Sequence, residues 1–193
     1  RYDYLNKLRW ELFLKMGIPI KDKVIFEPGA GIGDQTAWLI QQSPAHIYVN
    51  EGRKDNIEII RKRFGHSRKV TLIHGNLEDC LERPEFNIKA DLVFLWGVYY
   101  HINDSLDDFR IMQALSKIAP TVVFDYLESS ADGTTFYGYD NPSTSVSQYA
   151  IRPTTETMME GLKKSFGYAY LPKVQMEWDD PLASGTPRRL AVG

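Results

Sequence analysis

The chain has 193 residues, 43% of them hydrophobic, a formal net charge of −2 and a pI near 6.1. That composition supports one folded domain of ordinary size and gives no whole-chain positive field for phosphate backbones or anionic lipid, so nucleic acid is not an expected partner. No apolar run approaches the ~20 residues of a membrane span, and Cys80, the single cysteine, permits no internal disulfide, so a reducing cytoplasm is the expected compartment.

Leu5, Leu8, Leu12 and Met16 lie on one helical stripe and predict a helix over residues 2–16, stopped by Gly17 and Pro19. Strands at 23–27, 46–50, 69–73, 91–96 and 121–125 then alternate with helices at 33–42, 54–64 and 105–118. The strands are continuous apolar runs, as in a parallel sheet covered on both faces. From Tyr126 to Pro153 the chain is rich in Ser, Thr, Gly and Tyr, with neither helical nor strand period. A connection of that length inside a compact domain is read as a lid or substrate loop over residues 127–153. Thr154 or Thr155 caps a helix running to Phe166, and strands at 168–174 and 188–192 close the chain. No internal repeat or second core emerges, so residues 1–193 are expected to form one domain.

The turn after the first strand reads EPGAGIG, Glu27 to Gly33, and opens a helix. In open α/β sheets ligands bind there, at the carboxyl ends of the strands beside a topological switch. A dinucleotide fingerprint GxGxxG fits Gly29 and Gly31, but its third glycine position holds Asp34. A carboxylate in the first helical turn opposes a pyrophosphate at that dipole end. An acidic, glycine-dense turn favours a ligand that is cationic nearby, and the sulfonium and ammonium of S-adenosylmethionine meet that requirement. Glu51 ends the second strand, twenty positions beyond Gly31, where a carboxylate accepts from both ribose hydroxyls. After the third strand, Asn76 is placed to meet an adenine amino group and Leu77 its ring. Asn76 and Glu78 are equally readable as plain loop or helix-cap residues.

Four motifs in order resemble the class I S-adenosylmethionine-dependent methyltransferases: EPGAGIG, YVNEG (Tyr48 to Gly52), HGNLED (His74 to Asp79) and ADLVFLWGVYYHIND (Ala90 to Asp104). The last is similar to the branch reading GVLYH, found in small-molecule methyltransferases and in transfer-RNA wobble-uridine carboxymethyltransferases. Two departures are Pro28, which stiffens the turn, and Asn76, which stands where the adenine motif usually carries Asp. The resemblance implies a doubly wound, mostly parallel seven-stranded Rossmann-like sheet with an antiparallel last strand. It also implies cofactor binding by Glu27, Gly29, Ala30, Gly31, Gly33, Glu51, Gly52, Asn76, Leu77, Trp96 and Gly97.

The implied reaction is in-line displacement of a methyl group from sulfur to an O or N nucleophile on a small molecule, with holding and orienting the partners worth up to ~7–11 kcal/mol. Where the acceptor carries a proton, His101 is the candidate base, with Tyr100 as its catalytic neighbour and Tyr99 lining the pocket. The alternative for His101 is a polar residue that shapes the loop. Tyr137, Tyr139 and Arg152 are candidate substrate contacts, Arg152 for a carboxylate or phosphate. WGVYYH replaces the (N/D)PP(Y/F) of base-amine methyltransferases. Asp125 is a possible single metal ligand, while Asp104, Asp107 and Asp108 read as helix-capping or solvated residues, and no metal site is assigned. Arg61, Lys62 and Arg63, then Arg68 and Lys69, read as the solvated end of a helix and more weakly as an RNA footprint. Trp10, Trp38 and Trp96 read as core. Other readings are an RNA-modifying methyl or carboxymethyl transferase, a sensor that binds the cofactor without catalysis, and an oxidoreductase on the same fold. The last is opposed by Asp34 and by the lack of any YxxxK pair.

Overall fold

Apolar runs with side chains on both faces can be buried only between two helical layers, and the chain folds that way. The computed structural model describes residues 2–104, 109–129, 135–139, 148–173 and 188–193. The start of the helix predicted at 105–118, Asp107, Asp108 and Val174 lie outside them. In chain order the elements are α1 (Tyr2–Met16), β1 (Val24–Pro28), α2 (Asp34–Gln41), β2 (His46–Glu51), α3 (Lys54–Phe64), β3 (Val70–His74), α4 (Leu77–Glu82), β4 (Leu92–Leu95), a 3-10 turn (Tyr99–His101), α5 (Arg110–Ile118), β5 (Val122–Leu127), β6 (Phe136–Tyr139), β7 (Tyr149–Arg152), α6 (Thr155–Phe166) and β8 (Arg188–Val192).

The main sheet has six strands in the order β3-β2-β1-β4-β5-β8, and β6 and β7 form a separate hairpin. β1 to β5 run parallel, with Phe26 opposite Tyr48 on one side and Val93 on the other. β8 runs antiparallel to β5, Asp125 facing Leu190. This is the expected doubly wound sheet with an antiparallel last strand, one strand short of seven among the described residues. The strand predicted at 168–174 contributes a single antiparallel bridge, Tyr170 to Val192. Two cores fill the layers. Phe26, Val93, Phe124 and Tyr126 pack against α5 and α6 on one face, and Ile25, Ile47, Phe94 and Val123 against α1, α2 and α3 on the other. Each such fully buried side chain contributes ~1.5–3 kcal/mol. No helix of the described residues is long and apolar enough to cross a membrane.

Three differences from the sequence reading bear on the site. The buried stripe of α1 is rotated from the one predicted: Asn6, Arg9, Leu12 and Phe13 are buried, while Leu8 and Met16 are half-buried. Polar residues occupy the inward face because Arg9 meets Asp125 of the sheet and Asn6 meets Gln35 of α2. HGNLED also holds a short helix, α4, with Asn76 just before it. Finally, the segment read as a patternless lid contains the β6–β7 hairpin, paired Phe136 to Arg152 and Tyr137 to Ile151.

Candidate active site

The chain reverses between β1 and α2 with Gly29, Gly31 and Gly33 at φ +65, +60 and +86, a region that L side chains enter only under strain. Their surroundings differ. A Cβ on Gly29 would lie 2.7 Å from Val98 Cγ2, and one on Gly33 would lie 2.7 Å from Phe64 Cε2, whereas at Gly31 nothing among the described residues lies within 4 Å. The outer two positions let protein pack against the backbone, and the middle one leaves the backbone open. The turn is pinned to β2: Ala30 N–H donates to the Asn50 carbonyl at 3.1 Å, and Gly31 N–H donates to Glu51 Oε2 at 2.7 Å. Glu51 Oε1 accepts from Arg53 N–H at 2.8 Å, just past half-buried Gly52. Asn56 Nδ2 also donates to Oε1, at 3.5 Å, so the lone-pair capacity for a further donor lies on Oε2.

Glu27 closes β1 at 2% exposure. Thr36 Oγ1 donates to its Oε2 at 2.8 Å, while Oε1 is buried with no partner among the described residues. Burial pushes its carboxyl up to about 8, against the Thr36 hydrogen bonds, and the nearby Glu51 and Asp34 push the same way. Asp34 itself pairs with Arg63 at 2.9 Å. The acidic character inferred for the turn is therefore tempered: Arg63 balances Asp34, and Glu27 holds a proton at neutral pH.

Beyond β4, Trp96 is 5% exposed and stacks on Phe94 with ring centroids 5.2 Å apart. Its Nε1 is buried without a partner among the described residues. Gly97 N–H donates to Oδ1 of Asp125. Asp125 is fully buried, and its Oδ2 takes Arg9 at 3.0 Å and Arg188 at 2.8 Å. Burial alone would raise this carboxyl, but Arg9 and Arg188 outweigh it and hold the group below the usual carboxylate range. Asp125, considered as a metal ligand, is instead the shared anion of two arginines. Arg188 also donates to the Tyr100 hydroxyl at 3.1 Å and stacks over that ring at 4.7 Å. Asn6 accepts from Arg9 at 3.4 Å and from Gln35 at 2.8 Å, and Trp10 Nε1 donates to Gln35, so the network reaches α2.

Sequence reasoning missed both arginines, although each carried a signal. Arg9 is four positions after Leu5, on the apolar side of the helix. Arg188 is two before Leu190 and four before Val192, on the buried face of a strand.

Tyr99, expected to line the pocket, packs in the core. It is fully buried, and its hydroxyl donates to Asp104 Oδ2 at 3.3 Å, while Asp104 Oδ1 accepts Ile111 N–H at 3.0 Å and so caps α5. Tyr100 is half-buried, and burial pushes its phenol up despite the opposing pull of Arg188, so it stays protonated at neutral pH. The His101 ring, half-buried, lies 4.3 Å from that of Tyr100. Tyr137 and Tyr139 are 60% and 87% exposed on β6, and the Arg152 guanidinium sits 5.2 Å from the Phe136 ring. Asn76 precedes α4 and its carbonyl accepts Cys80 N–H at 3.0 Å. Leu77 is buried in the core. The ends of β1, β2, β3 and β4 thus bring the glycine turn, Glu51, Asn76, Trp96, Gly97, Tyr100 and His101 to one edge of the sheet. Tyr139 stands outward on the separate hairpin.

No family model matches the chain. Among curated proteins it is similar to the tRNA U34 carboxymethyltransferase of Actinobacillus pleuropneumoniae serotype 3, 24% identical over 120 residues, 58% of this chain and 35% of that protein. It is likewise similar to the tRNA U34 carboxymethyltransferase of Helicobacter pylori strain G27, 24% identical over 125 residues, 63% of this chain and 47% of that one. The matches thus span about a third to a half of those relatives' length. Among solved structures, the N-terminal domain of EvdMO1 with SAH and D-fucose superposes at TM-score 0.71 with 16% identity, covering 97% of this chain and 80% of that one. An S-adenosylmethionine-dependent methyltransferase from Mesorhizobium loti superposes at 0.67 with 12% identity and 95% of each chain. The magnesium protoporphyrin IX methyltransferase of Synechocystis PCC 6803 with bound SAM gives 0.65 with 12% identity, covering 99% and 78%. These likenesses establish the fold. The curated relatives overturn one expectation: nucleic acid cannot be set aside as a partner, since they are enzymes of tRNA. The net charge of a chain matching a third to a half of their length does not decide what such proteins grip.

Proposed function

We propose that this chain, which has the class I S-adenosylmethionine-dependent methyltransferase fold, is an enzyme that transfers a methyl group from S-adenosylmethionine to an O or N nucleophile on a small molecule. The observation that carries the reading is the open backbone at Gly31, where no atom of the described residues lies within 4 Å of a Cβ position while the same residue's N–H is held by Glu51. The residues fit the group. Glu51 Oε2 retains acceptor capacity for a ribose hydroxyl, Glu27 Oε1 is buried without a partner among the described residues and becomes an acceptor when the carboxyl ionises, and Trp96 Nε1 is a buried donor likewise without a partner among them. Ala30, Gly29, Gly33 and Gly52 supply backbone around the turn, Asn76 and Leu77 the adenine side, and Gly97 the floor beyond β4.

The bound cofactor supplies an electrophilic methyl on a sulfonium centre. What this chain adds is position, dryness and proton handling. His101 takes the acceptor's proton, and Tyr100, kept a neutral phenol, donates a hydrogen bond that orients the acceptor. Arg152 and the tyrosines of β6 meet the acceptor's outer part. A reducing cytoplasm suits the buried thiol of Cys80.

A second reading, carboxymethyl transfer to tRNA, draws on the curated relatives and on the buried Arg9 and Arg188. A carboxymethyl group brings its own carboxylate, and Arg9 and Arg188, which share the single carboxylate of Asp125, leave one positive charge over to attract it.

Calorimetry separates the cofactor classes: S-adenosylmethionine and S-adenosylhomocysteine are expected to bind, and binding of NAD alone would overturn both readings. S-adenosylhomocysteine release is then followed with a metabolite panel and with unmodified tRNA. Turnover on small acceptors supports the first reading and turnover on tRNA alone the second. Cofactor binding without turnover on either marks a sensor.

A further inference from the structure

The cationic end of α3 turns onto the glycine turn at Arg63. Its Nη1 donates to the carbonyl of Ile32 and, at 2.9 Å, to Asp34 Oδ1. The guanidinium lies 5.0 Å from the ring of Phe64, and that ring in turn fills the space against Gly33. The other end of the turn is tied to β2 through Ala30 and Gly31. Ile32 and Asp34 lie between and after positive-φ glycines, in the part of the turn with most conformational freedom, and α2 begins at Asp34 with no side-chain cap at Gly33.

Two consequences follow from this placement. The bond to Ile32 holds the carbonyl side of the peptide that leads into Gly33, whose N–H donates to the Ala30 carbonyl at 2.9 Å, and together they set the direction of the first N–H groups of α2. The pair with Asp34 cancels a carboxylate that otherwise repels any acid group brought to that helix end. Methionine-type ligands carry such a group beside their ammonium. Arg61, two residues earlier, pairs with Glu58 within its own helix and does neither.

We infer that Arg63 is a positioning residue: it holds the far side of the glycine turn in its binding geometry and neutralises Asp34, so that the turn accepts a ligand carrying both an ammonium and a carboxylate. This rests on the methyl-donor reading above. It is tested on the whole chain with Arg63→Met, Arg63→Lys and, as a control, Arg61→Met. In the protein without ligand, Arg63→Met is expected to speed amide exchange at residues 31–35 while Arg61→Met leaves it unchanged. S-adenosylhomocysteine is expected to bind Arg63→Met roughly tenfold more weakly, with partial recovery in Arg63→Lys and melting temperatures within about 2 °C of each other, since a half-exposed pair contributes little to global stability. Unchanged exchange and affinity in Arg63→Met overturn the inference. Altered exchange in Arg63→Met, in a protein whose native form binds no S-adenosylhomocysteine, overturns the donor reading while the turn contact stands as structural.

Discussion

Glu27 stands at the point where stability and ligand binding pull in opposite directions. Its folded pKa is raised to about 8, so the folded state prefers it protonated; its contribution to stability is complete below the ordinary carboxylate range and is lost as pH rises through about 8. A cationic ligand reverses that preference, because it favours the ionised form. S-adenosylhomocysteine, whose ammonium is the cation at issue, is therefore expected to bind more tightly as pH rises from 6 to about 8 and to level off above, with about one proton released per ligand at the acid end. Calorimetry in buffers of different ionisation enthalpy measures that proton directly. Glu27→Gln keeps an acceptor for Thr36 but cannot ionise. It is expected to weaken binding, flatten the pH profile and raise the melting temperature at pH 9 with little change at pH 4. A native-like pH profile in the glutamine variant would remove Glu27 from the ligand's surroundings.

The glycines of the same turn separate folding from binding. At Gly31→Val the added Cβ meets no atom of the described residues within 4 Å and bears the strain of a positive φ, about 1–3 kcal/mol, while the side chain fills the open side of the turn. Gly33→Val bears that strain and also strikes Phe64. Gly31→Val is expected to retain a native circular dichroism spectrum and lose S-adenosylhomocysteine affinity, and Gly33→Val to lower the urea midpoint further. Retained affinity in Gly31→Val would count against the site.

At the scale of elements, what the sequence made legible divides by how local the signal was. The helix at Lys54–Phe64 and the strand at Arg188–Val192 agree to the residue, because apolar spacing and flanking turn residues mark their ends locally. The β6–β7 hairpin escaped notice because its strands, FYGY and YAIR, carry almost no alternation. Ile151 at 2% exposure is a buried anchor there, while Phe136, Tyr137 and Tyr139 are exposed. The same limit applies to the ion cluster that holds α1 against the sheet. Asp125 was readable as a carboxylate at a strand end, but its partners are 116 and 63 residues away, a pairing that only the topology creates.

That cluster also defines what α1 rests on. Asp125→Asn leaves the buried Arg9 and the largely buried Arg188 without a counter-charge and is expected to reduce stability by about 3–5 kcal/mol, read from the urea midpoint. Breaking the more exposed Arg189–Glu128 pair with Arg189→Met costs about 0–1 kcal/mol by comparison. The depressed pKa of Asp125 sets the sign with pH: its contribution is complete above the ordinary carboxylate value of about 3.9 and is lost as pH falls toward the folded value. The native protein is therefore expected to lose its advantage over Asp125→Asn in strong acid. An equal gap at every pH would place the effect of the substitution in packing.

For the molecule as a whole, the decisive feature is that β1 lies between β2 and β4, so the crossovers leave in opposite directions and open a crevice where they part. One wall belongs to the β3-β2-β1 half and carries Gly31 and Glu51, and the other belongs to the β4-β5-β8 half and carries Trp96, Gly97 and Tyr100. A ligand that lies across the crevice ties the halves together, and mass action then stabilises the whole fold. At a concentration 100 times its Kd that is worth about 2.7 kcal/mol, or a rise of roughly 5–10 °C in melting temperature for a chain of this length. S-adenosylhomocysteine is expected to give that rise, together with slower amide exchange on both walls, at residues 29–33 and at 96–101. NAD is expected to give neither. Protection confined to the β1 and β2 wall would mean that the ligand occupies half of the crevice. The residues beyond β4, His101 among them, would then need another role.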